Sequence, residues 1–180
     1  MTRHFQFAGS ALALSLAACT PAAREPAPLT PTAGDASAEV VEPGGRRVAR
    51  ATVSQSGDSL RVKVEAAGLA PGAYGAHLHA TGRCDAPGFA TAGPHWNPLG
   101  RQHGKDNPQG MHLGDLPNLL VGADGRGSFE YTVVGAALAG GANPLLDADG
   151  AAAVIHAQPD DFRTDPSGNS GARIACGVLR

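Results

Sequence analysis

The chain has 180 residues, which suits a single domain with its own hydrophobic core and leaves some residues over. Its formal net charge of −2 provides no basic field, so we expect no nucleic-acid partner. The 25 glycines and 14 prolines favour a turn-rich all-β protein over a helical bundle.

The N-terminus has the pattern of an export signal. Arg3 and His4 precede an apolar run at residues 8–18, which is too short to span a bilayer but has the length of a signal-peptide core. We therefore expect residues 1–18 to be a signal peptide. The stretch "LAAC" that ends at Cys19 resembles the lipobox of bacterial lipoproteins, and this resemblance implies cleavage before Cys19 and its acylation. The alternative is an ordinary secretory signal with a chance cysteine.

Residues 19–39 have the composition of a tether. They are rich in Pro and Ala and poor in large apolar side chains, so they cannot pack a core. With lipidated Cys19 at its start, this segment would hold a domain of residues 40–180 near a membrane through the lipid anchor. The protein is then expected to be exported, in the cell envelope and facing the periplasm.

Short alternating segments separated by turn residues fill the rest of the chain. The alternation predicts an all-β domain of about eight strands, arranged as an antiparallel sandwich or flattened barrel. Two long segments, 80–118 and 158–172, are rich in Gly, Pro and Asp and are expected to be functional loops. The predicted strands lie within residues 46–55, 58–68, 72–80, 125–134, 151–158 and 172–180.

Six of the seven histidines lie in or beside these two loops. Residues i and i+2 of a strand point to one face, so His77 and His79 form a same-face pair. Asp115 follows His112 by three residues; neutral imidazole suits copper and zinc, and a carboxylate among imidazoles suits zinc. The pattern therefore predicts one or two metal sites. The six residues are His77, His79, His95, His103, His112 and His156.

Five motifs carry a more specific resemblance. In chain order they are "GAHLH", "AGPHWNPLGRQHG", "MHLGDLPNL", "VIHAQPDD" and "GNSGARIACGV". Their order and internal spacing resemble the copper–zinc superoxide dismutase family over roughly residues 46–180. The resemblance implies a Greek-key β-sandwich, in agreement with the strand pattern.

The resemblance also implies a complete set of site residues, with one copper and one zinc per subunit. Asp160 matches a carboxylate that bonds the free ring nitrogens of one copper ligand and one zinc ligand. Arg173 matches an arginine that meets the anionic substrate beside the copper. The implied copper ligands are His77, His79, His95 and His156, and the implied zinc ligands are His95, His103, His112 and Asp115.

The implied activity is dismutation of superoxide to O₂ and H₂O₂ by copper cycling between Cu(II) and Cu(I), which would protect the cell envelope from superoxide. His95, as the bridge between the metals, and Arg173 would be the catalytic residues. The alternative is a non-catalytic copper- and zinc-binding module for storage or delivery, which would need neither an anion guide nor a redox-labile bridge.

The three cysteines fit the same resemblance. Lipidation of Cys19 would leave Cys84 and Cys176, which match the intrasubunit disulfide of the family. The alternative, a bridge from Cys19 to one of the others, would leave a thiol unpaired and compete with acylation. The resemblance also leaves a homodimer open, because dimer surfaces differ between the bacterial and eukaryotic branches.

Overall fold

A long antiparallel sheet forms most of the computed structural model, which describes residues 1–2 and 34–180. The predicted signal peptide beyond residue 2, Cys19 and the tether up to residue 33 lie outside the described residues. Residues 34–180 belong to one compact unit. No helix in the described part of the chain is long and apolar enough to cross a membrane.

The described residues form nine strands. They are β1 (Asp35–Val41), β2 (Arg47–Ser56), β3 (Ser59–Ala67), β4 (Gly72–Tyr74), β5 (Ala76–His79), β6 (Leu119–Val121), β7 (Arg126–Val134), β8 (Ala152–His156) and β9 (Arg173–Val178). The only helical element among the described residues is a 3₁₀ turn, Ala90–Ala92. The all-β prediction is confirmed, with two long irregular segments at the predicted places, between β5 and β6 and between β8 and β9.

Seven strands form one sheet in the order β5-β8-β9-β1-β2-β3-β7, and β4 pairs with β6 in a small second sheet. The pairings within the named strands are antiparallel. The order places β1 between β9 and β2, so strands distant in sequence become neighbours, as in a Greek key.

The predicted tether ends too late. Residues 35–39 belong to β1, which pairs with β2 from Asp35↔Ser54 onward, so the domain begins before the predicted residue 40. The composition is misleading here because the inward side chains of β1 are small. Ala36, Ala38 and Val40 are buried in the main core, where neighbouring strands leave little space.

Strand β3 shows why the central strands form where the alternation predicts them. Every second residue is buried, and the charged residues between them face outward. A two-residue turn connects β2 to β3. Its first residue, Gly57, has a φ of 62°, and type I′ and II′ hairpin turns require such a positive φ there. The buried residues of β3 are Leu60, Val62, Val64 and Ala66.

Strand β8 is buried on both faces and divides the apolar interior. Ala153 and Ile155 belong to the main core, whereas Ala152 and Val154 pack with Phe89 from the long loop after β5. This second cluster attaches that loop to the sheet. Both loops start at the β5–β8–β9 edge: the first leaves β5 and ends at β6 in the small sheet, and the second connects β8 to β9.

Candidate metal centre

Two adjacent strands and the loop after β5 bring the histidines together. In the β5–β8 pair, His77 lies opposite Val154, and His156 at the end of β8 pairs with Arg173 on β9. The loop then returns along the free edge of β5, with isolated bridges from His77 to Asp115 and from His79 to His95. Ligands from three distant parts of the sequence thus meet at one sheet edge.

The return of the loop depends on a close backbone approach at Gly114. The amide of Leu78 donates to the Gly114 carbonyl at 2.9 Å, and the Gly114 amide donates to the Trp96 carbonyl at 2.9 Å. A Cβ on Gly114 would collide with the Leu78 carbonyl oxygen. Only glycine therefore allows Asp115 to follow directly beside β5.

Four histidines form what we call the first cluster. One ring nitrogen from each lies within 4.8 Å of the others, and all four residues are buried. These nitrogens are His77 Nδ1, His79 Nε2, His95 Nε2 and His156 Nε2, and none of them has a hydrogen-bond partner within residues 34–180. Buried polar atoms without partners are costly, so four of them converging on one point indicate a site for an ion.

The other nitrogen of each ring is held in place. His79 Nδ1 lies 2.9 Å from the Gly93 carbonyl oxygen, and His156 Nδ1 lies 3.1 Å from that of Gly171. A carbonyl only accepts, so each of these nitrogens carries the proton and leaves its Nε2 with a free lone pair. His77 Nε2 is likewise 2.7 Å from Asp160 Oδ2. The hydrogen bonds thus orient the free nitrogens as metal ligands require.

Three histidines surround Asp115 in what we call the second cluster. Asp115 Oδ1 lies 2.9 Å from His95 Nδ1, 3.0 Å from His103 Nδ1 and 3.1 Å from His112 Nδ1. The contact between His103 Nδ1 and Asp115 Oδ1 does not have the geometry of a hydrogen bond. The nitrogens His95 Nδ1 and His112 Nδ1 are 3.4 Å apart. Ligands about 2.0–2.1 Å from one tetrahedral ion are separated by about 3.3 Å, so this donor set fits a zinc-sized ion.

His77 also lies within reach of the second cluster, since one of its nitrogens falls within 4.8 Å of donor atoms of His95, His103 and Asp115. Its two nitrogens have other positions, however: Nε2 contacts Asp160 and Nδ1 faces the first cluster. His112, with its Nδ1 at 3.1 Å from Asp115, therefore completes the second cluster.

His95 belongs to both clusters. Its Nδ1 faces Asp115 in the second cluster, and its Nε2 is one of the four unpartnered nitrogens of the first. One imidazole can thus contact two ions. The structure also brings together the predicted sets His77, His79, His95, His156 and His95, His103, His112, Asp115.

Asp160 forms a second link between the two clusters, in addition to the shared His95. Its Oδ2 accepts from His77 Nε2 at 2.7 Å, and its Oδ1 accepts from His103 Nε2 at 2.9 Å. The nearby Gly168 leaves the space that this contact needs, because a Cβ there would collide with Asp160 Oδ1 and His103 Nε2. The carboxylate therefore lies where the sequence predicts it.

Asn118 is a further site residue, which the sequence motifs do not single out. Its Nδ2 donates to the Asp160 carbonyl at 3.0 Å, and its Oδ1 accepts from the Asp160 amide at 2.8 Å. These two bonds hold the backbone of Asp160. Asn118 lies in the motif "MHLGDLPNL", three residues after Asp115, but the sequence alone does not show that it bonds the backbone of Asp160.

Burial gives most of these imidazoles low pKa values. Desolvation lowers the pKa of His77 to about 3 and that of His156 to about 4, and it lowers the pKa of His79 and His95 as well. These rings are neutral at pH 7. Neutral imidazole is the form that binds metals.

His103 differs from the others. Burial acts to lower its pKa, but the Asp115 carboxylate close to Nδ1 and the hydrogen bond from Nε2 to Asp160 outweigh that effect and raise the pKa to about 9. Those same contacts hold the pKa of both carboxyl groups below the usual range, although burial acts to raise them. Without an ion, the second cluster therefore carries a proton on His103 at neutral pH.

Arg173 lies beside the first cluster in a cavity of about 410 Å³, which we call the Arg173 cavity. Its Nη1 donates to the Phe89 carbonyl at 2.8 Å and its Nη2 to the Gly93 carbonyl at 2.7 Å. His95 and His156 also line this cavity, and no carboxylate from the described part of the chain does. The guanidinium is thus a fixed positive charge beside the first cluster.

The predicted disulfide is present between Cys84 and Cys176, whose Cα atoms are 5.7 Å apart. Cys176 is fully buried against Phe89 and Val154 in the second apolar cluster. The bridge therefore anchors the segment that supplies the Phe89 and Gly93 carbonyls to Arg173. Cys19 lies outside the described residues.

An antiparallel barrel-like sheet with two adjoining clusters of metal-ligand geometry defines a metal-binding β protein. Comparison with known proteins gives the family. Residues 48–179 match the family model for copper/zinc superoxide dismutase (SODC), and the chain belongs to that family.

Individual relatives and a solved structure agree with the family. The chain is 44% identical over 144 residues to the superoxide dismutase-like protein YojM of Bacillus subtilis, covering 78% of this chain and 74% of that protein. It is 41% identical over 148 residues to a Cu-Zn superoxide dismutase of Caulobacter vibrioides, covering 81% and 85%. A crystal structure of a SOD-like protein from Bacillus subtilis matches with a TM-score of 0.75 and 41% identity, over 80% of this chain and 97% of that one.

Proposed function

We propose that this chain is a superoxide dismutase with copper in the first cluster and zinc in the second. The observation that carries the proposal is His95, whose two nitrogens face the two clusters. The all-nitrogen donor set suits copper, and the set with one carboxylate suits zinc. Similarity to proteins named superoxide dismutase supports the assignment.

The reaction consumes two superoxide ions and two protons and yields one O₂ and one H₂O₂. Copper would supply the two one-electron steps, because zinc has no accessible second oxidation state. The chain itself must admit the anion, orient it, hold the ligands rigidly and provide a proton.

Arg173 suits the capture of the anion. It keeps its positive charge at working pH, and two carbonyls fix its guanidinium at the wall of the Arg173 cavity. Since none of the described residues that line the cavity is a carboxylate, the positive charge of Arg173 attracts a small anion towards His95 and His156. A superoxide ion would therefore reach the first cluster already oriented by the guanidinium.

His95 suits the handling of a proton. Its Nδ1 contacts Asp115, so Nε2 is the nitrogen that belongs to the first cluster, and the residue lines the Arg173 cavity. Whenever that nitrogen is not a ligand, it can hold a proton close to the bound anion. Asp160, through His77 and His103, keeps the rings around it in place.

A storage or delivery module on the same fold would bind both metals but would have no use for the Arg173 cavity. Replacement of Arg173 by glutamate is expected to slow copper-dependent superoxide decay by about tenfold or more, because it reverses the charge that attracts the anion. The rate is measured by pulse radiolysis. The copper content of each sample is also determined, so that a loss of bound copper is not mistaken for slower capture of superoxide.

The matched control is Arg126→Glu, which makes the same charge change at an exposed residue of β7 outside the cavity. It is expected to retain most of the rate, with the small remaining effect disappearing at high salt. Equal rates for the Arg173 and Arg126 variants would remove Arg173 from substrate capture and favour the storage module.

Zinc binding is expected to release about one proton per chain at pH 7. The pKa of His103 is about 9 in the metal-free chain, so zinc must displace its proton, and zinc affinity rises with pH until the pH passes about 9. His77 and His156 are already neutral at pH 7 and contribute no such release on copper binding. Titration calorimetry in two buffers of different ionisation enthalpy measures the number of protons, and equal release at pH 7 and above pH 10 would contradict the assignment.

We also propose that the protein is an exported lipoprotein of the cell envelope, anchored through Cys19. The sequence "LAAC" and the apolar run before it support this proposal. Full-length protein expressed with labelled palmitate should incorporate the label, and Cys19→Ala should not. Absence of label from the wild-type chain would contradict the anchor.

A further inference from the structure

A second cavity of about 560 Å³ also has His95 in its wall, and we call it the His112 cavity. Pro94, His95 and Pro166 line both this cavity and the Arg173 cavity, so these three residues stand between them. The proposed function uses the Arg173 cavity for the substrate. It leaves the His112 cavity without a role.

The His112 cavity leads to the second cluster. His112 and His95 line it, and their side chains are 7% and 4% exposed, whereas those of His103 and Asp115 are 0% and 2% exposed. Within residues 34–180, no hydrogen bond engages His112 Nε2, the nitrogen that faces away from Asp115. The second cluster is therefore reached from solvent through this side of His112.

The two cavities differ in the sign of their charge. Among the residues that the structure describes, Arg173 is the one formally charged residue that lines its cavity. The His112 cavity has two carboxylates, Asp147 and Asp165, against one guanidinium, Arg101. A net negative wall attracts a cation and repels superoxide, which is the opposite of what the Arg173 cavity does.

Each carboxylate has one oxygen available to a passing ion. Asp165 Oδ1 accepts from the His103 amide at 2.7 Å, and Asp147 Oδ1 accepts from the Asp149 amide at 3.0 Å. In the described part of the chain, no hydrogen bond engages the Oδ2 of either residue. Carboxylate oxygens are common ligands of divalent cations, zinc included.

We propose that the His112 cavity is the route by which the divalent cation enters and leaves the second cluster, with Asp147 and Asp165 drawing it in and Arg101 opposing it. This inference rests on the zinc assignment of the proposed function. It gives each metal cluster its own opening, so the structural cation does not pass through the site where the anion reacts.

The rate of cobalt uptake tests the route. Co²⁺ is added to the full chain that carries colourless Cu(I) in the first cluster and no zinc, and the visible absorption of tetrahedral cobalt is followed by stopped flow. Asp147→Asn is expected to slow uptake about threefold at low salt, and Arg101→Gln is expected to accelerate it by a similar factor. Both effects should shrink as ionic strength rises.

Release gives a second readout. When a chelator removes the cobalt, Asp147→Asn should slow release as well as uptake, because a residue on the route stabilises the ion in passage in both directions. A residue that merely attracts the bound ion through its field would, when neutralised, speed release instead. Faster release from Asp147→Asn would therefore overturn the route.

Asp124→Asn is the matched control. Asp124 is exposed, lies outside the cavity, and uses its Oδ1 to accept from the amide two residues later, as Asp147 does. It should leave both rates unchanged. Equal uptake rates for the Asp124 and Asp147 variants would overturn the proposal.

A bulky residue in the Arg173 cavity tests whether the cation enters through that cavity instead. Ala90→Trp narrows the Arg173 cavity and should leave cobalt uptake unchanged, and slower uptake in this variant would place the route there. Failure of the wild-type chain to give tetrahedral cobalt absorption would instead refute the second cluster itself. The two failures are thus distinguishable.

Discussion

Replacing His156 with alanine is expected to abolish copper-dependent superoxide decay, with a loss of at least about a hundredfold. Ligand-supporting residues alone commonly contribute 10–100-fold to metal affinity or activity, and removal of a ligand should cost at least as much. The variant removes one of the four unpartnered nitrogens of the first cluster but no donor of the second. Copper content should therefore fall below one per chain while zinc content stays at one.

The control for this variant is Val154→Ala, on the same strand two residues earlier. Val154 is also buried, and its truncation creates a cavity in the apolar cluster around Phe89 without removing a ligand. It should cost some stability but keep copper and activity. Unchanged turnover in the His156 variant would mean that the first cluster is not the reacting site.

Removing the disulfide is the second large effect that we expect. The double variant Cys84→Ala, Cys176→Ala opens a loop with a sequence separation of 92 residues, which the chain-entropy model values at about 4–5 kcal/mol of unfolding free energy. This is a large part of the stability of an ordinary domain. Denaturant unfolding of the metal-free chain measures the loss.

The loop that the disulfide anchors also supplies the carbonyls of Phe89 and Gly93 to Arg173. We therefore expect the double variant to lose superoxide capture in addition to stability. The wild-type chain under reducing conditions serves as the control, since it lacks the bond but keeps both sulfur atoms. A loss below about 1 kcal/mol in either sample would show that the bridge does not constrain the unfolded chain.

The strands that sequence predicts well are those with large alternating side chains. Strand β3 alternates Leu60, Val62 and Val64 with charged residues, and it forms at the predicted place. Residues 35–39 of strand β1 fall within the predicted tether because the inward residues of the strand are mainly alanines, which are equally typical of a disordered segment. The pairing of β1 with β9 is a long-range contact, Val41 opposite Cys176, that no local pattern reveals.

The candidate ligands could all be named from the sequence, because histidines concentrated in irregular segments are conspicuous and the five motifs resemble one family. Their atomic roles could not be named in the same way. The free nitrogen of His79 is Nε2 because the Gly93 carbonyl engages Nδ1, and Gly93 lies 14 residues further along the chain. Such contacts depend on how the loop folds back.

The residues that support the ligands were the hardest to predict. Asn118 holds the backbone of Asp160 across 42 residues, and Gly114 is required because it passes the Leu78 carbonyl closely. In sequence, one is an ordinary polar residue and the other an ordinary loop glycine. Their importance comes from tertiary contacts alone.

The central claim is that copper in the first cluster makes the chain a superoxide dismutase. The most direct measurement is the rate of superoxide decay as copper is added in steps to the zinc-loaded chain, followed by pulse radiolysis. We predict that the rate rises linearly and stops rising at one copper per chain. No acceleration over free buffer at one bound copper per chain would contradict the claim and leave a metal-binding module without this activity.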